Sequence, residues 1–289
     1  MNIRLQNIES DFKGFSDLIA VCERIKSCGP DDKLVVIFPQ WFDANMCAVL
    51  GAILHLSSKK EEQISFEWIN PEAKKIMQKN SFLFFLGFDT SIMLDLNGTT
   101  IEYKQFSQGD YRSFSEYVER NFRGHGLPEM SEALLKEFRK SIFEIFENAV
   151  THSETEYIFA CGQYFPYKKR LDFSIADLGI GFYRNVTSKT KLDLSPVQAI
   201  EWAMGEEKTT KSGPIPGGLG LKLIREFVTL NRGKMQIASD SGFWELSEGS
   251  VKTNTFSSKF PGTVVNIEIN TADSRSYCLE EEIEAEDIF

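Results

Sequence analysis

The segment from 130 to 153 constrains the fold more than any other stretch. Leu135, Phe138, Ile142, Ile145, Phe146 and Ala149 recur at the helical period and form one apolar stripe. Beside it, at four-residue spacing within "FENAVTHS", stand Glu144, Asn148 and His152. A helix of this pattern must lay its stripe on a sheet or another helix. It then carries three polar groups along the edge of that contact. Taken alone, such a line is most often a solvated face.

The flanking sequence supplies the layers for that helix to pack on. "KLVVIFPQ" (33–40) and "QISFEWI" (63–69) read as strands, and residues 13–29 as a helix. Helices are also predicted over 43–60, with Asp43 as N-cap, and over 70–80, with a proline at the first position. This alternation predicts an α/β layer over the first 90 or so residues. "SIMLDLNGTTIEYKQF" (91–106) reads as a hairpin turning at "NGT". Beyond "RGHGLP" come a strand pair (156–163 and 170–176), a helix (219–230) and strands at 233–238 and 263–269. The expected division is an α/β domain over 1–115, a second domain over 116–272 and an acidic tail over 273–289.

Of the 289 residues 42% are hydrophobic and 24 are Phe, enough for a large core. A net charge of −10 argues against direct nucleic-acid binding through a general basic surface. Five well-separated cysteines without a C-x-x-C pair fit reduced thiols in a cytoplasmic protein. The N-terminus shows no apolar signal core, and the run "MCAVLGAIL" is too short to span a bilayer, so no membrane partner is expected.

Three further stretches carry chemistry. In "DFSIADLGIGF" (172–182) a strand ends in Asp177, followed by Gly179 and Gly181. Such glycines let the backbone turn sharply and approach a ligand, and a carboxylate there can accept a hydrogen bond from an exocyclic amine such as adenine's. A dinucleotide fingerprint needs a third glycine where this chain has Arg184. In "SGPIPGGLGLKLIREFV" (212–228), Gly217, Gly218 and Gly220 open a helix whose free N–H groups suit a phosphate. No P-loop pattern occurs. "FPGTVVNIEIN" (260–270) places Gly262 and Thr263 at a strand start.

In this order, E-x-x-x-N-A-x-x-H, D-x-G-x-G, G-x-G-L and G-T resemble the GHKL ATPase superfamily, which includes gyrase B, the MutL repair proteins, sensor histidine kinases and anti-sigma-factor kinases. The resemblance covers about 129–270 and implies ATP and Mg²⁺ as cofactors. It implies that Asn148 holds Mg²⁺, that Glu144 is the catalytic base and that Asp177 binds the adenine amino group with Thr263 helping through a water. Gly179 and Gly181 would line the base. The stretch Gly218, Leu219, Gly220 and Leu221 would bring amides to the phosphates. Residues 183–217 would form a lid, in which Thr209, Thr210 and Lys211 would be candidate phosphate contacts. None of His55, His125 and His152 has the acidic follower of a phosphoacceptor box, so autophosphorylation on histidine is not expected.

Residues 33–90 are also similar to a STAS-like domain, although Asp43 is followed by Ala44 and no acceptor hydroxyl. The expected fold is thus α/β (α+β): a STAS-like layer plus a GHKL α/β sandwich, a mixed sheet with helices on one face. The resemblance implies a Mg²⁺-dependent ATP-binding protein with slow hydrolysis, switching a regulatory protein partner, with a homodimer also allowed. A stress or antiphage module is one setting. The alternatives are a non-catalytic ATP-sensing adaptor and a serine/threonine kinase of the anti-sigma type.

Overall fold

A computed structural model of the chain describes residues 1–29, 32–56, 64–68, 70–89, 91–122, 126–152, 155–205 and 219–286. Its first layer is a parallel sheet in the order β1 (Asn2–Arg4), β2 (Leu34–Phe38), β3 (Ile64–Trp68). Central β2 is apolar at every position, as a parallel strand covered on both faces must be. The crossovers carry α1 (Phe12–Ser27), capped by Asp11 accepting from the Gly14 amide at 2.7 Å, and α2 (Cys47–His55). Every residue of α2 from 47 to 54 is buried. A helix apolar all round belongs between two layers, and α2 lies between this sheet and the next. α3 (Pro71–Lys79) begins at its proline, with Asn70 capping the Glu72 amide, and a short α4 (Phe82–Phe85) follows.

The second layer begins with β4 (Thr100–Ser107), α5 (Tyr111–Asn121) and α6 (Glu132–His152). Next come β5 (Tyr157–Phe165), β6 (Arg170–Asp177), α7 (Gly181–Thr190) and α8 (Pro196–Met204). The remaining elements are α9 (Leu219–Asn231), β7 (Lys234–Ser247), β8 (Ser250–Asn270) and α10 (Glu280–Glu286). The strands run β4-β5-β6-β8-β7, so the class is α+β. This sheet is antiparallel throughout rather than mixed. Hairpins impose that: β7 and β8 join through Glu248 and Gly249, both with positive φ (52° and 74°), the geometry a two-residue hairpin turn requires. Helices cover both faces rather than one. α6, α9 and the aromatic-rich α5 bury one face, where Phe114 stacks on Phe146 at 4.4 Å. α1 and α2 bury the other.

Three local expectations change. Asp43 makes no capping bond; a 3-10 turn (Ala44–Met46) precedes α2 instead. Its fully buried carboxylate accepts from Trp41 Nε1 at 2.7 Å, the Ser10 amide at 3.0 Å and Arg170 Nη2 at 2.9 Å. Only 100–107 of the expected hairpin is a strand, and it pairs with β5. Asp95 draws the Thr100 amide (2.7 Å) and hydroxyl (2.8 Å) to itself, leaving 91–99 outside any ladder. β7 and β8 extend well past 238 and before 263, across Asp240 (φ 53°) and two register shifts.

A polar seam joins the layers. Asn45 Nδ2 donates to Asn266 Oδ1 at 3.0 Å and to Ser10 Oγ at 2.8 Å, Ser174 Oγ donates to Asn266 at 2.8 Å, and Gln236 Nε2 donates to Ser10 O at 2.9 Å. Next to it Arg170 lies within 3.2 Å of Asp43, Asp172 and Glu268, and Lys234 lies 3.0 Å from Glu268. The bonded groups Asn45, Ser174, Gln236 and Asn266 fix one docking geometry. The tail is tied down as well: the Ser131 amide donates to Tyr277 O at 2.8 Å and its hydroxyl to Glu282 at 2.6 Å.

Candidate functional site

The period of two along a strand decides which side chains share a face. Leu171, Phe173 and Ile175 of β6 lie in the core beneath α6, which puts Asp177 on that same face. Val265, Ile267 and Ile269 do so for Thr263, and Met235 and Ile237 for Ser239. Register sets Asp177 opposite Thr263, and Thr263 opposite Ser239. Where β6 ends, the apolar face therefore meets a polar row, Asp177–Thr263–Ser239, beyond which β7 and β8 run on.

Two glycines make that row compact. A Cβ at Gly181 (φ 71°) would fall 2.7 Å from Ser239 Oγ, and one at Gly262 would collide with the carbonyl of Asp177. Asp177 is 6% exposed and accepts from the Gly179 amide at 2.8 Å, turning the chain out of β6. Ser239 Oγ accepts from the Phe182 amide at 3.0 Å, donates to Gly262 O at 2.9 Å and lies 3.2 Å from Thr263 Oγ1. Sequence reasoning missed Ser239, because a serine in a strand carries no signal of its cross-strand neighbours. It also missed Thr155, whose hydroxyl accepts from the Leu178 amide at 3.3 Å.

Connectivity brings the helices to the same end. α6 leads directly into β5, whose first residues pair with the end of β6. The last turns of α6, with Asn148, therefore lie at the Asp177 end. α9 leads into β7 at the opposite end, so its first turn points back towards Asp177. The helices touch where Glu144 Oε2 accepts from the Gly220 amide at 2.7 Å. A Cβ at Gly220 would sit 2.6 Å from that oxygen and 3.1 Å from Ser141 Cα. Asn148 is half-buried one turn beyond Glu144. Among the described residues, Glu144, Asn148, Asp177, Gly179, Gly181, Gly220 and Thr263 thus gather where β6 ends.

The other expected residues fall elsewhere. Leu221 is buried in the core beneath α9. Leu219 opens α9, but its side chain, like that of His152, lies outside the described residues. Thr209, Thr210, Lys211, Gly217 and Gly218 lie outside them altogether. The described part of the expected lid holds α7 and α8, the latter started by a capping box of Ser195 and Gln198. An open cavity of about 310 Å³, lined by Ser107, Gln108, Gly109 and Glu156, lies towards the same end of β6 but holds none of these motif residues.

Chemically, the set offers oxygen donors and backbone N–H groups. Asn148 carries an amide oxygen of the hard kind that suits Mg²⁺, which takes few protein ligands when substrate phosphates supply the rest, and the Glu144 carboxylate beside it is engaged by the Gly220 amide. Gly220 carries an amide at a helix start, where Glu144 now accepts it, and Gly181 and Gly262 are glycine because Ser239 Oγ and the Asp177 carbonyl stand where a Cβ would be. These residues fit a Mg²⁺–nucleotide. Compared with known proteins, the chain matches no protein-family model and no curated sequence. No helix among the described residues is long and apolar enough to cross a membrane.

Proposed function

We propose that the chain is a Mg²⁺-dependent ATP-binding protein of GHKL type that hydrolyses ATP slowly, acting in the cytoplasm as a switch for a protein partner. The observation that carries this reading is the meeting of four separate motifs where β6 ends, with Asp177 opposite Thr263 and Glu144 on the Gly220 amide. Asp177 would accept from the adenine amino group. The Gly220 amide would donate to a phosphate oxygen, and Asn148 would hold the metal. Bound there, Mg²⁺ would supply charge neutralisation for the phosphates. Glu144 would take the proton of the attacking water, and its carboxylate must first give up the Gly220 amide.

The polar seam supports a switch. Ser174 and Asp172 lie on β6, which ends in Asp177, and Asn266 and Glu268 lie on β8, near whose middle Thr263 sits. An N-terminal STAS-like layer gripped through these strands has a route to sense the site, provided ATP favours one arrangement of the layers. The test is calorimetric titration of ATP with and without Mg²⁺, alongside phosphate release and transfer of labelled phosphate to protein. Metal-dependent binding with slow release supports the reading. Binding without release would make the chain a sensor, label on serine or threonine would make it a kinase, and no binding would end the nucleotide reading.

A further inference from the structure

The segment between α3 and β4 holds large apolar side chains out to solvent. Phe84 and Phe85 are 50% and 47% exposed, Phe88 38%, Ile92 55%, Leu94 75% and Leu96 84%. A monomer rarely leaves so many together. The segment is nevertheless held in place. The Phe88 ring packs on Phe66 of β3 at 4.1 Å, and Phe85 meets Tyr103 edge-on at 5.3 Å. Asp89 accepts from Ser91 Oγ at 2.7 Å and from Gln78 Nε2 at 2.8 Å, while Asp95 holds Thr100. A frame this well satisfied keeps the apolar groups facing outward.

Charge and area indicate what covers them. A second copy of a chain with net charge −10 is repelled by most of its surface. Here the two carboxylates are matched within the patch: Lys74 lies 3.3 Å from Asp89 and Lys79 3.7 Å from Asp95. A two-fold contact sets a patch against itself, so it requires a surface that is apolar and locally neutral. With about 200 Å² for each large side chain, these exposures leave roughly 700 Å² uncovered, close to the ~800 Å² per partner of a standard interface.

We propose that this chain forms a two-fold dimer through the 84–96 face, with a second copy of itself as the occupant. The face lies apart from the nucleotide site, and the proposal stands independently of that reading. The experiment is sedimentation equilibrium of the full chain, with Leu94→Glu and, as a second variant, Leu96→Lys. Both side chains are largely solvated, so neither substitution disturbs the core, and circular dichroism checks the fold. In a two-fold contact each substitution introduces two like charges, so association weakens by about tenfold or more in both variants. A wild-type chain that stays monomeric at micromolar concentration overturns the proposal. So does a dimer that both folded variants leave intact.

Discussion

Glu144 and Gly220 lie 76 residues apart in sequence, yet the carboxylate of the first accepts the amide hydrogen of the second at 2.7 Å. The bond places a negative charge at the start of α9, where free N–H groups and the helix dipole favour it by about 0.3–1 kcal/mol. It also holds α6 and α9 together at Gly220, where a Cβ would stand 3.1 Å from Ser141 Cα.

Gly220→Ala tests that contact. The added Cβ would meet the carboxylate, which can swing, and Ser141 Cα at 3.1 Å, which cannot move without its helix. The helix-propensity gain of up to about 1 kcal/mol only partly offsets the strain. The expected result is a net loss of roughly 1–2 kcal/mol in urea unfolding. An unchanged midpoint would mean that the helices separate freely.

Glu144→Gln keeps the shape of the side chain and an acceptor for the Gly220 amide, but removes what would be the base under the proposed function. ATP affinity should hold while phosphate release falls about 10²-fold. Release at the wild-type rate would assign proton transfer to another group.

Asp177→Asn places an amide where, under the proposed function, the adenine amino group would need an acceptor. A mismatched buried partner costs about 1–3 kcal/mol, or roughly 5- to 150-fold in ATP affinity. Calorimetry measures the change, and circular dichroism confirms that the Gly179 turn survives.

Arg170→Met removes the cation that Asp43 and Glu268 share at the junction of the layers. Uncompensated buried carboxylates cost about 3–5 kcal/mol, so this should be the most destabilising of these substitutions. Thermal melts that match wild type would show the seam to be solvated.

Asp172 gives the junction a pH dependence. Burial pushes its carboxyl well above the ordinary 3.8, against the opposing pull of Arg170, and among the described residues neither oxygen has a hydrogen-bond donor. The folded chain therefore keeps a proton that the unfolded chain releases. Stability from this group is full below 3.8 and is lost as pH rises through the raised value. Asp172→Asn is neutral throughout, so its urea midpoints should decline less with rising pH than those of wild type. Parallel curves would show that Asp172 is ionised in the fold.

Much of the chain was legible because its signals are local. The stripe of α6, the apolar run of β2, Asn70 and the proline after it, and the strand ending in Asp177 each depend on residues a few positions apart. Two signals were present and passed over: Ser195, Pro196 and Gln198 at the start of α8, and Glu248–Gly249 between alternating segments of β7 and β8.

By itself the sequence determined many of the elements and the four motifs, since periodicity, capping and turn chemistry act within a turn or a strand. Tertiary structure alone decided what those elements meet. Asp43 precedes a helix and has the local form of a cap, but Arg170, 127 residues on, draws its carboxylate into the interlayer seam. Residues 100–107 follow a turn signal, but β5 offers the longer ladder. Ser239 and Thr263 become neighbours of Asp177 only through sheet register, and Glu144 reaches Gly220 only because α6 and α9 pack antiparallel. Partners so distant in sequence are selected by burial and pairing across the whole core, which no local pattern encodes.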